Sequence, residues 1–109
     1  MRITITFRHT DIDEELRTQA RELVQKVAKF ARRPHHAQVT FTEDAGLAGV
    51  EIEVHVPRNR IHVAKAQESD HRSALDVAIA RLKRQLLDEK ESRRPRRARR
   101  SGSGVTGPR

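Results

Sequence analysis

Lysine and arginine are the residues whose number and spacing most clearly indicate a chemistry. The chain contains 23 Lys and Arg against 15 Asp and Glu, a formal net charge of +8. Seven arginines fall in residues 93–109, which contain no acid, so the preceding 92 residues carry a net charge of only +1. Clustered arginines bind phosphates through paired hydrogen bonds and release counterions from a polyanion. The distribution therefore predicts RNA binding that is electrostatic and sensitive to salt.

Basic residues also flank the apolar stripes of two segments with helical spacing. The candidate RNA contacts in these segments are Arg17, Lys26, Lys29, Arg32, Arg33, Arg81, Lys83, Arg84 and Lys90. The candidates at the start of the arginine-rich tail are Arg93, Arg94, Arg96 and Arg97. Two alternatives stay open: a solvated helix surface with weak ion pairs such as Glu22 with Lys26, and a tail that only increases solubility.

The histidines and carboxylates do not form a recognisable catalytic or metal-binding motif. His35 and His36 are adjacent, and the other four histidines fall in different segments, so no zinc spacing is present. His55 and His62 would meet only if the register of their two strands permitted it. We find no glycine-rich phosphate loop, nucleophile elbow or carboxylate pair. The sequence predicts no enzyme activity, no cofactor and no metal.

Composition restricts the partner and the compartment further. The chain has no cysteine, which excludes disulfides, thiolate nucleophiles and Cys-based zinc sites. Its three aromatic residues, all Phe, do not favour a base-stacking platform. No apolar run approaches the roughly 20 residues that cross a bilayer, and the N-terminus alternates polar and apolar residues instead of forming a signal peptide. We expect a cytoplasmic protein with no membrane partner.

Alternating apolar residues predict four strands, each covered on one face. The segment from Glu43 to Gly49, which contains two glycines, and the short turn Pro57-Arg58-Asn59 suit antiparallel hairpins between the last three strands. The predicted inward positions are Met1, Ile3, Ile5 and Phe7; Ala37, Val39 and Phe41; Val50, Ile52, Val54 and Val56; and Ile61 and Val63.

Two helices are predicted from capping residues and apolar stripes. Asp13 precedes the first helix, which we expect to continue until Pro34, and Asp70 precedes the second. The predicted stripes are Leu16, Ala20, Leu23, Val27 and Phe30, and Leu75, Ala78, Ile79, Leu82 and Leu86.

Together these elements predict an α+β fold, a two-layer βαβββα sandwich with both helices on the apolar face of a four-stranded sheet. Residues 1–92 form the predicted domain, and residues 93–109 are too rich in Arg, Gly, Ser and Pro to fold, so we expect a disordered tail. The other sheet face is polar and slightly acidic, whereas residues 26–33 hold four bases and no acid. We therefore expect the helical layer to meet the phosphates.

Three segments resemble the short ribosome hibernation promoting factors, also known as sigma-54 modulation proteins and ribosome-associated inhibitors. They are MRITITFRHTDIDEELR, QKVAKF and ESDHRSALDVAIARLKRQL, and the resemblance covers roughly residues 1–92. It implies a ribosome-binding domain similar to double-stranded-RNA-binding folds that sits in the messenger channel of the small ribosomal subunit at the decoding region. Translation would be silenced under stress by exclusion of mRNA and tRNA, without catalysis.

On this resemblance, a few basic helix positions would hold 16S rRNA phosphates: Arg17, Lys26, Lys29, Arg81 and Arg84. The sequence departs from the family pattern at Arg72, where an aromatic residue is common, at Asp88-Glu89, and in its arginine-rich tail. We expect no second globular domain, so ribosome dimerisation, if it occurs, would require a separate factor or a different mechanism. The alternatives are a general RNA-binding protein or chaperone anchored by its tail, and a protein that modulates a sigma factor.

Overall fold

Four strands and two helices follow one another in the predicted βαβββα order. The computed structural model describes the backbone of residues 1–92 and the side chains of residues 1–89. The elements are β1 (Arg2–Arg8), α1 (Glu14–Ala28), β2 (His36–Asp44), β3 (Leu47–Val56), β4 (Arg60–Glu68) and α2 (His71–Ser92). The predicted α+β sandwich is confirmed. The predicted tail, residues 93–109, and the side chain of Lys90 lie outside this description.

The strands lie side by side in the order β1-β2-β3-β4. Strand β1 pairs with β2 in parallel, since α1 carries the chain back along the sheet, and the other two pairs are antiparallel hairpins. The β2–β3 hairpin turns at Ala45 and Gly46, whose φ angles of 52° and 80° are those of the tight turns that match strand twist. The predicted meander of three strands is therefore confirmed.

One face of the sheet is apolar and packs against both helices. The register aligns its side chains in three rows, which are Ile3–Ala37–Val54–His62, Ile5–Val39–Ile52–Ala64 and Phe7–Phe41–Val50–Ala66. Phe41 and Ile52 are fully buried in the centre, and Phe7 stacks on Phe41 with 6.3 Å between ring centroids. The predicted inward faces of β2 and β3 are confirmed, as is that of β1 from Ile3 to Phe7; Met1 precedes the strand and is exposed.

The prediction for β4 is wrong, because Ile61 and Val63 face away from the core. Their side chains are 49% and 37% exposed, whereas Ala64 and Ala66 are buried. The three-residue turn pairs Val56 with Arg60 and so sets Ile61 opposite His55 on the outer face. Helix α2 packs on the inner side of this strand, where short alanine side chains allow a close approach. Side-chain size therefore indicated the wrong face.

Helix α1 is capped as predicted but ends earlier. The Asp13 carboxylate accepts a hydrogen bond from the Leu16 amide at 2.8 Å, and the helix ends at Ala28 instead of continuing to Pro34. The amides of Phe30 and Ala31 each bond a carbonyl three residues back, which tightens the chain into a turn. Phe30 packs against the core from beyond the helix end. Arg32 and Arg33 therefore lie in the α1–β2 loop, not on the helix as predicted.

The remaining stripe predictions agree with the packing of the two helices. Ala20, Val27, Leu75, Ala78, Leu82 and Leu86 are buried, and Leu16, Leu23 and Ile79 pack against them while partly exposed. Val24 and Ala28 are also buried on α1, and Ala74 on α2. Asp70 caps α2 by accepting the Ser73 amide at 2.8 Å. The apolar side of each helix is thus wider than the spacing alone indicated.

Helix α2 also protects the free edge of the sheet. Arg81 donates a hydrogen bond to the Lys65 carbonyl at 2.7 Å, and Gln85 donates one to the Val63 carbonyl at 3.0 Å. An edge strand with free carbonyls and amides invites pairing with another chain. Arg81 and Gln85 lie one helical turn apart, so they occupy two edge carbonyls that would otherwise face solvent.

The orientation of β4 predicts different costs for two isoleucines of the sheet. Ile61→Ala should lower the free energy of unfolding by less than about 1 kcal/mol, because this side chain is already half in solvent. Ile52→Ala should lower it by about 2–5 kcal/mol, because it leaves a cavity at the centre of the core. Urea denaturation of both variants measures the difference, and equal losses would contradict the register.

Candidate nucleic-acid interface

Charged residues separate towards the two ends of the sheet. At one end, β1, β2 and β4 begin, β3 ends and α1 finishes, and a bond between Arg60 and Glu89 brings the last described turns of α2 there. This basic end contains nine Lys and Arg and two acids, and it comprises residues 1–3, 26–36, 55–62 and 83–89. The opposite, acidic end contains nine acids and three arginines, and it comprises residues 8–18, 42–48 and 67–76.

This separation runs along the strands, whereas the sequence predicted a division between the helical layer and the sheet. The basic end collects residues from α1, α2, the α1–β2 loop and the β3–β4 turn. A surface of one sign concentrates the field and raises the local concentration of an oppositely charged partner. The geometry therefore presents an RNA backbone with one attractive end and one repulsive end.

Two predicted contacts from different helices converge on one aromatic ring. The ammonium groups of Lys29 and Lys83 lie 5.5 and 5.6 Å from the centroid of Phe30. Each cation is attracted to the π electrons of the ring, so Phe30 anchors one lysine from each helix at the solvent boundary. Lys26, one turn before Phe30, is exposed beside them. These exposed ammonium groups are suited to an anionic ligand.

The two candidate arginines of α2 have different surroundings. Arg81 is held by the edge carbonyl of Lys65, and it lies on the opposite flank of α2 from Lys83, since two residues advance a helix by about 200°. Arg84 is exposed and forms no ion pair within the described residues. The guanidinium of Arg84 is therefore available to a ligand, whereas Arg81 already has a structural bond.

Arg17 lies away from the other candidates, at the acidic end. Its guanidinium stacks 4.8 Å from the centroid of Phe7 and forms ion pairs with Asp11 at 3.6 Å and Glu14 at 3.8 Å. These contacts cover the exposed side of β1 and hold the loop that leads into α1. The structure thus does not bring Arg17 together with Lys26, Lys29 and Lys83.

Two arginines of the basic end were not selected from the sequence. Arg58 and Arg60 lie at the β3–β4 turn, where they line a cleft of about 180 Å³ with Arg32 and Arg33 of the α1–β2 loop. The alternation of Arg58 and Arg60 around a turn was visible in the sequence. The neighbouring loop could be placed beside that turn only once the pairing of β2 with β3 was known.

The histidines separate by face instead of forming a metal site. His55 lies on the outer face and His62 on the inner face, so the register does not bring the two together. His55 instead meets His36 across β2 and β3, with ring centroids 5.2 Å apart. Within residues 1–92, no group of three potential metal ligands is found. In the same described part, neither helix is long and apolar enough to cross a bilayer.

The surroundings of His36 disfavour protonation of its ring. Its ring lies within hydrogen-bonding distance of the Thr4 hydroxyl, at 3.3 Å. Desolvation, followed by the positive charges of Arg2, His55 and His35, holds the pKa of His36 below its ordinary value of 6.5. The nearby Glu53 acts in the opposite direction. This part of the outer face thus disfavours a further positive charge at His36.

Comparison with known proteins gives matches over most of the chain. The family model described as Sigma 54 modulation protein / S30EA ribosomal protein matches residues 3–94. A ribosome hibernation promoting factor from Azotobacter vinelandii is 28% identical over 91 residues, which is 84% of each chain.

Two solved structures have a similar fold. The N-terminal domain of Thermus thermophilus Protein Y superposes with a TM-score of 0.70 and 23% identity, covering 82% of this chain and 99% of that one. A ribosomal subunit interface protein from Coxiella burnetii superposes with a TM-score of 0.68 and 23% identity, covering 84% and 99%. Both support the βαβββα architecture.

The low pKa of His36 predicts that stability falls as the pH decreases. The folded chain binds a proton at His36 less readily than the unfolded chain, so stability is fully present above about pH 6.5 and declines as the pH falls towards the folded-state pKa. Melting temperature measured from pH 7.5 to 5 should therefore fall less in His36→Gln than in the wild type. His9→Asn, at an exposed position in the acidic end, is the control. Parallel curves for the wild type and His36→Gln would contradict the prediction.

Proposed function

Because the chain belongs to the Sigma 54 modulation protein / S30EA ribosomal protein family, we propose that it is a ribosome hibernation factor that binds the small ribosomal subunit. The Azotobacter relative carries that functional name, and the Coxiella structure is named a ribosomal subunit interface protein. Both names describe proteins that act on ribosomes. Transfer to this chain is supported by the family match, which extends over residues 3–94.

The observation that carries the proposal is the basic end. It enters the messenger channel at the decoding region and contacts 16S rRNA phosphates. The contacts that the structure makes most available are Lys26, Lys29, Lys83 and Arg84, which are exposed on or beside the ends of the helices. Arg32 and Arg33 extend the same surface from the loop. Arg17 and Arg81 have a smaller share, because their guanidinium groups already bind within the protein.

In this proposal translation is silenced because the protein occupies the space that mRNA and tRNA need. A folded domain lodged where mRNA and tRNA meet the small subunit excludes both, and no covalent step is required. The acidic end is repelled by rRNA and remains on the side away from the phosphates. The separation of basic and acidic residues along the sheet therefore determines which end of the protein enters the messenger channel. We assign no cofactor and no catalytic residue to this activity.

The arginine-rich segment adds a second electrostatic contribution. In this proposal residues 1–92 are the ribosome-binding domain, and residues 93–109 strengthen its association without selecting the site. Arg93, Arg94, Arg96 and Arg97, with Lys90 before them, neutralise further phosphates. We assign dimerisation of ribosomes, where it occurs, to a separate factor or a different mechanism.

A general RNA-binding or chaperone function is the second candidate. It is favoured by the six arginines within residues 93–100, which form the densest charge in the chain. In that case most of the affinity would reside in the tail, and duplex RNA would compete with the small subunit equally well. If the protein is instead a hibernation factor, the folded domain selects the binding site on the small subunit.

The lysine pair on Phe30 predicts a specific loss of ribosome binding. Lys29→Gln/Lys83→Gln removes two cations that neutralise phosphates and should weaken binding to isolated small subunits by roughly 10- to 100-fold. Arg8→Gln/Lys65→Gln removes the same charge from exposed positions outside the basic end and is the matched control. Co-sedimentation at several salt concentrations measures both variants. Equal weakening by the control pair would show that only total charge matters.

Replacement of the tail arginines separates the two candidate functions. In the full chain, substitution of Gln for Arg93, Arg94, Arg96 and Arg97 should lower affinity and reduce its dependence on salt. Chemical footprinting of 16S rRNA should nevertheless retain protection at the decoding region. Loss of all site-specific protection would favour the general RNA-binding function instead.

A further inference from the structure

Four arginines from two separate segments face one cleft at the basic end. Arg32 and Arg33 come from the α1–β2 loop, and Arg58 and Arg60 from the β3–β4 turn and the first residue of β4. Pro57 is exposed and adds apolar surface, and the buried Val56 completes the lining. The cleft holds about 180 Å³, and all four arginines are exposed at its rim. Guanidinium groups therefore surround a space that is partly shielded from water.

The positive charge of this cleft is largely uncompensated by the protein. Arg60 bonds the Glu89 carboxylate. Among the described side chains, those of residues 1–89, Arg32, Arg33 and Arg58 form no ion pair or side-chain hydrogen bond. Like charges that share a cleft repel one another. The cleft is therefore suited to an anion.

The backbone at two of these arginines is also strained. Arg33 has a φ angle of 53° and Arg58 one of 69°, both in the left-handed region that side chains with a Cβ rarely adopt. Asn59, the next residue, has a φ of 56°, but asparagine tolerates this conformation better. Strain of this kind persists where the surrounding structure imposes it, often at binding sites. Here it occurs in both walls of the same cleft.

We infer that this cleft clamps a phosphate of an RNA backbone between Arg32 and Arg33 on one side and Arg58 and Arg60 on the other. The inference rests on the proposed function and adds to it a site outside the helices. Arginine suits this task because its planar fork donates two parallel hydrogen bonds to phosphate oxygens. Pro57, which is exposed, provides a surface for the adjoining ribose. The β3–β4 turn thus becomes a contact with RNA.

The test compares matched pairs of substitutions in the full chain. Arg32→Gln/Arg58→Gln removes one guanidinium from each wall and spares the Arg60–Glu89 bond. Arg8→Gln/Lys65→Gln removes equal charge elsewhere. Binding to a fluorescent hairpin oligoribonucleotide, measured by anisotropy across salt concentrations, should weaken roughly 10-fold or more in the cleft variant. Its salt slope should fall by about 1 for each phosphate that the variant no longer neutralises, with little change in the control.

Arg58→Gly gives a readout that separates binding from folding. Glycine adopts a positive φ without strain, so the variant should melt a few degrees higher than the wild type while binding RNA more weakly. Asn59→Gly changes the neighbouring turn residue without removing charge, and it should retain wild-type affinity. Full RNA affinity in Arg58→Gly would overturn the inference.

Three further outcomes have distinct meanings. Equal weakening by the cleft pair and the control pair would overturn the clamp in favour of diffuse attraction. If polyglutamate bound as tightly as the oligoribonucleotide and depended on the same arginines, the cleft would be a site for acidic peptides and the inference would be wrong. The full chain could also fail to bind small subunits while the cleft variant still binds the oligoribonucleotide more weakly than the wild type. That result would contradict the proposed hibernation function but support the phosphate clamp.

Discussion

The register of the four-stranded sheet is the constraint on which the candidate interface depends. Pairing sets Arg2 beside His36, His36 beside His55, and Val56 beside Arg60, so that the ends of all four strands are level. The α1–β2 loop and the β3–β4 turn meet only because of this alignment. A shift of one residue in a strand would reverse its inner and outer faces and expose apolar side chains. Burial of the core rows therefore fixes the positions of charges that are themselves in solvent.

The distinctive electrostatic feature of the folded domain is the separation of its acidic and basic residues, and not its net charge. Residues 1–92 carry a net charge of only +1, yet their acids and bases are concentrated at opposite ends of the sheet. A domain with this distribution is oriented by a polyanion as well as attracted to it. The contacts of Arg17 and Arg81 are part of the same arrangement, because these two arginines stabilise the edges of the sheet. Basic side chains at the basic end, by contrast, remain available to a ligand.

Local sequence patterns were sufficient for the order of elements, both helix caps, and the inward faces of β1 to β3. They were insufficient for β4, where the bulk of Ile61 and Val63 suggested the core face while the packing of α2 required alanines there. The candidate site shows the same limit. Lys29 and Lys83 were selected for their charge, but their meeting over Phe30 depends on how α1 and α2 lie together. Arg58 was missed because its neighbours in the cleft come from a loop distant in sequence.

A tethered cleavage probe tests most directly whether the basic end faces the rRNA. The chain has no cysteine, so a single one can carry a hydroxyl-radical source at either end of β2. His35→Cys places it at the basic end and Glu43→Cys at the acidic end, about 26 Å apart at roughly 3.3 Å per residue. With small subunits bound, the probe at position 35 should cut 16S rRNA near the decoding region, and the probe at 43 should cut it weakly. Equal or stronger cleavage from position 43 would contradict the proposed orientation.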